Sequence, residues 1–321
     1  MTIKDIAERA GVSMITVSRV INSPERVSKE TREKISAILE EVGYVHNTAA
    51  HNLASNKSGI ICIHMAKTME MMDPFSQQFL IGACSALSEE NYSVQIIDKI
   101  KPNQFCDGYI LSGYNYKETT LLDAKKTGKP VALLGSYKDP DVDTMDTNNT
   151  KAAKIGVEYL IQKGHKKIAI VLNNIDSPYV KERFEGYKEA LSDHDIPFCE
   201  ELVHTVANTV QGGMEAANWV VDNKLDVSAV FFITDIMAVG FISGLRSHGI
   251  NVPDQISVVG FDGLGHHLMA SPKITTVAQP VFETARLLSK CLIDRIQHPE
   301  KAVTHTYVDS VLDVEESVKE Y

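Results

Sequence analysis

The first 44 residues repeat apolar positions every three or four residues, a spacing that predicts three short amphipathic helices. In the first helix Thr2 can act as the N-terminal cap, with Asp5 three residues further on, and Gly11 supplies the turn that follows. The apolar face of this helix consists of Ile3, Ile6, Ala7 and Ala10.

The second and third helices begin at capping serines, Ser13 and Ser28, and end at Pro24 and Gly43. The side chains predicted to point inward are Val17, Val20, Ile21, Ile35, Ile38, Leu39 and Val42. Those left outward on the second helix are Met14, Ile15, Ser18 and Arg19. Two helices joined by a glycine-containing turn are typical of the helix-turn-helix, whose second helix enters the major groove of DNA. A three-helix cap on an enzyme is the alternative interpretation.

Beyond Ser58, apolar runs of four to seven residues alternate with amphipathic segments. Strands are predicted at 59–65, 93–97, 107–111, 130–135, 167–171, 229–233 and 256–261, and helices at 75–91, 117–127, 149–163, 179–194, 211–223, 235–248 and 280–297. This alternation indicates parallel sheets covered on both faces, in a stretch too long for one sheet. We therefore predict an α/β fold: an N-terminal helix-turn-helix headpiece plus two doubly wound parallel-sheet subdomains that face each other across a ligand cleft.

The composition is that of a globular cytoplasmic protein. The chain has 321 residues, 44% of them hydrophobic, enough for two or three domains. It has no run of 18 apolar residues, and its first twenty positions are too charged for a secretory signal. The cysteines, which are Cys62, Cys84, Cys106, Cys199 and Cys291, form no CxxC pair, as expected of thiols in a reducing compartment.

Sequence motifs for catalysis, phosphate binding and metal binding are missing. GxxxxGK[ST], GxSxG, HExxH and GxGxxG do not occur in the sequence. His266 and His267 are adjacent, which is not the helical spacing of a zinc pair. We expect no enzymatic activity, no cofactor and no metal.

Charge is distributed unevenly along the chain. Residues 1–58 carry a net charge of +1 and the remainder carries −11. Only the first segment can approach a polyanion without strong repulsion, and the acidic remainder would orient nucleic acid toward it.

A connector, "NTAAHNLASNKS" at 47–58, follows the three helices. Asn47 can cap a helix of about nine residues, shorter than the ~12 to 15 that an isolated helix needs in water. Ala49, Ala50 and Ala54 have side chains small enough for another helix to approach closely, and leucine, here Leu53, is a residue type known to act as a kinking wedge. A plain linker with one buried leucine is the alternative.

The stretch "TIKDIAERAGVSMITVSRVIN" closely resembles the lactose-repressor and galactose-repressor (LacI/GalR) family of bacterial transcription factors. The resemblance implies that Met14 and Ile15 probe bases and that Thr16, Ser18 and Arg19 contact phosphates and bases. It also implies a hinge helix that folds on DNA, pairs with its dimer mate and inserts Leu53. The DNA-binding residues predicted in this way are Ser13, Met14, Ile15, Thr16, Ser18, Arg19, Asn22, Asn47, Ala50 and Leu53.

The resemblance continues through "DPF" (73–75), "RFEGY" (183–187), "TDIMAVG" (234–240) and "ISVVGFD" (256–262), and it implies a core similar to periplasmic sugar-binding proteins of type I. The effector-binding residues that it implies are Asp73, Ser112, Tyr179, Arg183, Asn208, Asp235 and Asp262. Carboxylates accept from sugar hydroxyls while a guanidinium donates in a planar fork, so these residue types suit a polyol. The implied domains are a headpiece (1–46), a hinge (47–58) and a core (59–321). Within the core, one subdomain spans about 59–147 plus 279–300 and the other about 148–278 plus 301–321.

Three departures from the family pattern stand out. Thr234 replaces a common asparagine in the cleft, and Glu315 replaces a common arginine. Only residues 98–106 lie between "SVQII" and "DGYIL", whereas a parallel crossover with its helix needs at least ~10 to 12. We expect that helix to be absent, with one face of the first sheet exposed or covered by a partner.

The function that the resemblance implies is a sequence-specific repressor of carbohydrate-utilisation genes. It would act as a homodimer without membrane contact, bind double-stranded pseudo-palindromic operator DNA, and respond to a sugar or sugar derivative in the cleft. Three alternatives stay open: a corepressor-dependent regulator that responds to a purine or a phosphorylated carrier protein, a sugar-binding module without gene control, and a sugar-processing enzyme.

Overall fold

The computed structural model describes residues 2–22, 24–44, 57–65, 73–112, 119–137 and 139–321, and the chain divides into two compact units, 1–59 and 60–321. The α-helices are α1 Ile3–Ala10, α2 Met14–Asn22, α3 Lys29–Glu41, α4 Pro74–Glu89, α5 Thr120–Lys126, α6 Asn149–Gln162, α7 Pro178–Asp193, α8 Val210–Asp222, α9 Asp235–Ser247, α10 His266–Met269 and α11 Val281–Gln297. The strands are β1 Ile60–Met65, β2 Ser93–Ile97, β3 Gly108–Ser112, β4 Val131–Leu134, β5 Asp143–Thr147, β6 Ile168–Asn173, β7 Val203–Val206, β8 Ala229–Phe232, β9 Ser257–Asp262, β10 Thr275–Ala278, β11 His305–Val308 and β12 Val311–Asp313. No helix in these described ranges is long and apolar enough to cross a membrane.

The first unit is the predicted three-helix headpiece. Its core contains Ile6, Val17 and Ile35, each fully buried, together with Ala7, Ala10 and Val20. The Arg9 guanidinium bonds to the Glu41 carboxylate at 2.6 Å and so links α1 to α3.

The helix ends in this unit are capped as the sequence predicted. The Thr2 hydroxyl accepts from the Asp5 N–H while the Asp5 carboxylate accepts from the Thr2 N–H, which makes a complete capping box. Gly11 follows α1 with a φ of 68°, a left-handed conformation that glycine adopts without strain. Ser28 caps α3 by accepting a hydrogen bond from the Thr31 N–H.

The second unit contains two six-stranded sheets with the same internal order. The sheets run β11-β5-β4-β3-β1-β2 and β12-β10-β9-β8-β6-β7. We call them, with the helices that cover them, the first half and the second half. All strand pairs are parallel except β10 with β12, which is antiparallel, for example at Val277 and Leu312. Two similar doubly wound halves are thereby confirmed, with an antiparallel edge strand added in the second.

Helices pack closely enough against each other that glycine is required at the contact. A Cβ atom placed on Gly240 of α9 would lie 1.9 Å from the carbonyl oxygen of Val210 at the start of α8. The absence of a side chain on Gly240 therefore sets how near these two helices lie on the second sheet.

The predicted loss of a crossover helix is confirmed. No helix lies between Ile97 and Asp107, a stretch that the structure describes completely, whereas the matching strand of the second half, β7, is followed by α8. The expected exposure of the sheet face is confined to its edge. Ile96 on β2 is 46% exposed, but Tyr109 on β3 is fully buried with Cys106 and α5 in one apolar cluster.

The chain passes between the halves at a different point from the one predicted. The sequence placed residues 301–321 in the second subdomain, but β11 pairs in parallel with β5, so that Thr306 lies beside Met145. The return to the second sheet comes after Val308, at β12. The sequence pattern did not reveal β5, β7, β10, β11 or β12, because each is short and contains polar residues.

Candidate functional site

Helix α2, the predicted recognition helix, presents apolar side chains to solvent in its first turn. Met14 is 54% and Ile15 is 65% exposed, and Arg19 is exposed one turn later. Val17 and Val20 of the same helix are buried, so the helix has one face in the core and one in solvent. Exposed apolar and guanidinium groups on one helix face suit contact with thymine methyls and guanine edges.

The other predicted DNA-binding residues lie at the start, in the middle and at the end of this helix, or beyond it. The Ser13 hydroxyl oxygen accepts from the Thr16 N–H at 3.2 Å, so these two residues order the helix start, and Ser18 is half-buried. Asn22 is the last residue of α2. Asn47, Ala50 and Leu53 lie outside the described residues.

A cavity of about 800 Å³ lies between the two halves, where the carboxyl ends of the parallel strands face each other. Among the predicted effector-binding residues, those that line it are Asp73, Tyr179, Arg183, Asn208 and Asp262. Ser112 and Asp235 are buried and are not among the residues that line it.

Arg183 is the most heavily bonded of these side chains. It extends from α7, is 5% exposed, and its Nε donates to Asn149 Oδ1 at 2.9 Å. Its Nη1 donates to the carbonyl oxygen of Ile233 at 2.5 Å and lies 3.3 Å from Asp262 Oδ1. The guanidinium carbon lies 3.6 Å from the ring centroid of Phe261 and so is held by a cation–π contact as well.

Asp262 ends strand β9 with its carboxylate at the cavity. Its φ is 124°, a conformation that a residue with a side chain adopts only when the surroundings enforce it. Its Oδ1 also accepts from Gln279 Nε2 at 2.8 Å. Burial raises the pKa of Asp262 to about 6, although the Arg183 charge counteracts this. The Asp262 carboxylate, on a strained backbone and beside the Arg183 charge, is thus fixed toward the cleft.

Asp235 orders the cleft wall from behind. Its two carboxylate oxygens accept hydrogen bonds from the Thr276 hydroxyl at 2.6 Å and from the Gly263 N–H at 2.8 Å. Burial raises the pKa of Asp235 well above its usual range, and the negative charge of Asp262 adds to the effect. This geometry gives Asp235 a positioning role for the Asp262 turn.

The remaining predicted residues take up different positions around the cavity. Asp73 caps α4, since its Oδ1 accepts from the N–H groups of Phe75 and Ser76. The Tyr179 ring lies over Arg183, 4.7 Å from the guanidinium carbon. The Thr234 hydroxyl, at the position where asparagine is common, donates to Asn208 Oδ1 at 2.6 Å. The departure at Thr234 is therefore matched by a partner inside the cleft.

The sequence prediction missed a pair of carboxylates at the point where the halves meet. Asn149 Nδ2 lies 3.4 Å from Asp146 Oδ2 and 3.1 Å from Glu182 Oε2 and so connects the two acids. Ser136, from the first half, donates its hydroxyl hydrogen to Glu182 of the second half. Burial, together with the Glu182 charge, raises the pKa of Asp146 to about 7. "RFEGY" drew attention to Arg183 but not to the glutamate directly before it.

Comparison with known proteins supplies the family. Residues 2–47 match the model of bacterial regulatory proteins of the lacI family, and residues 157–318 match a periplasmic binding protein-like domain. The catabolite control protein A of Priestia megaterium is 30% identical, over 90% of this chain and 92% of that protein. The transcriptional repressor CytR of Escherichia coli (strain K12) is 28% identical, over 92% of this chain and 90% of its own.

Solved structures of two regulators have a similar fold. The regulator CelR in complex with cellobiose has a TM-score of 0.76 at 27% identity, covering 99% of both chains. A LacI-family regulator from Enterococcus faecium with bound ribose has a TM-score of 0.72 at 25% identity, covering 82% of this chain and 99% of its own. The chain is therefore a DNA-binding transcriptional regulator and belongs to the LacI family.

Proposed function

We propose that this regulator is a homodimeric repressor that holds a sugar in the cleft between its halves and thereby changes its affinity for operator DNA. The observation that supports the proposal is that most of the predicted effector-binding side chains meet at one place. Side chains from distant parts of the chain, among them Asp73, Arg183 and Asp262, meet around one cavity of about 800 Å³. Relatives of similar structure are described with cellobiose and with ribose bound.

The groups at the cavity suit a polyhydroxy ligand. Asp262 and Asn208 offer carbonyl-type acceptors, while Gln279 and Thr234 combine donors and acceptors. The Tyr179 and Phe75 rings supply flat apolar surface for the C–H face of a sugar ring. Such a mixture of a few directed polar groups and aromatic walls is typical of small-molecule sites.

The cleft is also placed to change the relation of the two halves. The Ser136 to Glu182 hydrogen bond already crosses from one half to the other, so a ligand seated beside it contacts both. A ligand that binds one arrangement of the halves more tightly shifts the population toward it, at about 1.4 kcal/mol per tenfold difference in affinity. The predicted hinge, residues 47–58, would carry that change to the headpiece.

A binding experiment with the full chain tests the proposal. An operator duplex is first selected from a random library, and its affinity is then measured by fluorescence anisotropy with and without each member of a sugar panel. We expect at least one sugar to change operator affinity by about ten- to a hundredfold. A decrease identifies an inducer and an increase a corepressor. If no sugar changes the affinity, the effector part of the proposal is wrong.

Light scattering and the operator symmetry test the dimer. A two-fold protein with one reading head per chain selects half-sites related by a two-fold axis. A monomeric mass at working concentration, with a selected site that lacks inverted symmetry, would refute the homodimer. We expect no catalysis. To check this, the sugar that binds is incubated with the protein and the mixture is analysed for products.

A further inference from the structure

Among the described residues of the cavity wall, acidic groups outnumber basic ones. These residues include four carboxylates, from Asp73, Asp146, Asp176 and Asp262. Of the described residues that line it, only Arg183 and His266 can carry a positive charge. Burial lowers the pKa of His266 and so opposes a positive charge on this imidazole, although the Asp73 charge acts in the opposite direction.

The single arginine is already engaged by protein groups. Its Nε and Nη1 donate to Asn149, Ile233 and Asp262, and its side chain is 6% exposed. The Asp262 carboxylate neutralises its charge at a distance of 3.3 Å. A phosphate or carboxylate on a ligand would have to break these bonds to gain the bidentate pairing that arginine normally offers to anions.

The Asp146 and Glu182 carboxylates are held mainly through uncharged groups. The Asn149 amide approaches both acids, the Thr147 N–H donates to Asp146 at 2.8 Å, and the Ser136 hydroxyl donates to Glu182. Asp146 lines the cavity whereas Glu182 does not, and a carboxylate has about four acceptor positions, so a ligand donor at Asp146 would add to the Thr147 and Asn149 hydrogen bonds. A ligand that brings hydroxyl or ammonium donors satisfies this pair, whereas an acidic ligand adds a like charge beside it.

We propose that the cleft is specific for sugars without acidic groups, and that Asp146, with the Glu182 charge beside it, enforces this by accepting from a hydroxyl or ammonium group of the sugar. Phosphorylated sugars and uronic acids are rejected by the same pair. The inference rests on the proposed function, because it concerns the ligand of the same cleft. The cavity is formed by other residues as well, and the role of these carboxylates is to set which ligand charge it binds.

Isothermal titration of the full chain at about pH 7.5 tests this proposal. The probes are glucose, galactose and ribose, the matched amino sugars, the matched 5- or 6-phosphates, and glucuronate and galacturonate. For the sugar that binds, we expect the phosphate or acid derivative to bind at least about tenfold more weakly and the amino derivative at least as tightly.

Two isosteric variants assign the effect to the pair. Glu182→Gln and Asp146→Asn keep the size of each side chain and remove its charge. Each should reduce the ratio between the Kd of the acidic derivative and the Kd of its neutral parent by at least about threefold. Glu185→Gln, one turn further along α7 and exposed, is the matched control and should leave this ratio unchanged. Circular dichroism verifies that each variant is folded.

The outcomes separate this inference from the function on which it rests. A phosphate or acid derivative that binds the wild-type protein as tightly as its neutral parent overturns the inference and leaves the sugar-responsive function intact. Unchanged ratios in both charge-removed variants remove the pair from the explanation. If no sugar in the panel binds, of any charge, the proposed function fails and the inference fails with it.

Discussion

Replacing Arg183 with alanine should destabilise the second unit strongly, because the side chain is buried and three acceptors around it would each lose a donor. Asn149 Oδ1, the Ile233 carbonyl and Asp262 Oδ1 are bonded to it at 2.9, 2.5 and 3.3 Å. Removing one partner of a buried ion pair costs about 3 to 5 kcal/mol. For a unit of this size that corresponds to a fall in Tm of about 6 °C or more.

The loss of stability in Arg183→Ala should also depend on pH. The raised pKa values of the neighbouring acids determine whether it grows or shrinks as pH rises. Folding raises the pKa of Asp262 to about 6 and that of Asp146 to about 7, in both cases chiefly through burial. A carboxyl whose folded pKa is raised stabilises the native state at low pH, and this stability is lost as pH rises through the folded pKa. Arg183 offsets part of that loss, since its charge lowers both values. The Tm deficit of Arg183→Ala should therefore be larger at about pH 8 than at about pH 5.5.

Differential scanning fluorimetry across this pH range makes the measurement. Lys188→Ala, on the same helix with its ammonium bonded to Glu185 near the surface, serves as the control and should change the free energy of unfolding by less than about 0.5 kcal/mol. A deficit for Arg183→Ala of under about 1 °C, or one that is the same at both ends of the pH range, would refute the assigned role of this arginine.

Three further substitutions test other parts of the molecule. Arg19→Ala should weaken operator binding by about 1 to 3 kcal/mol and relax base preference, as measured by anisotropy; an equal loss on random duplex would identify a phosphate contact instead. Ser28→Ala should cost about 1 kcal/mol in thermal unfolding of the headpiece, because the Thr31 N–H loses its cap; an unchanged melt contradicts this. Gly240→Ala should cost about 3 kcal/mol, because the new methyl group meets the Val210 carbonyl at 1.9 Å; a normal Tm would show that α8 and α9 can separate freely.

The headpiece could be predicted from the sequence because local signals dominate there. Thr2, Ser13 and Ser28 cap helices over three or four residues, and the apolar spacing of Ile6, Val17 and Ile35 needs no distant partner to be recognised. The two sheets were also predictable, since their central strands are continuous apolar runs.

The cleft was only partly predictable because its members meet through the fold. Asp262, Arg183 and Asp235 all lie in recognisable motifs, but Asp235 turns its carboxylate to Thr276 instead of the cavity. Glu182 and Asp146 come together only because the ends of β5 and α7 approach each other. No local pattern encodes that approach.

The two sheets share a dependence on the end of the described chain. β11 pairs with β5 and β12 pairs with β10, so each sheet receives its last edge strand from residues beyond 304. During translation the DNA-reading unit is complete long before either sheet has its full set of strands. A nascent chain can therefore form its headpiece first. A chain truncated before residue 305 would lack the last edge strand of both sheets.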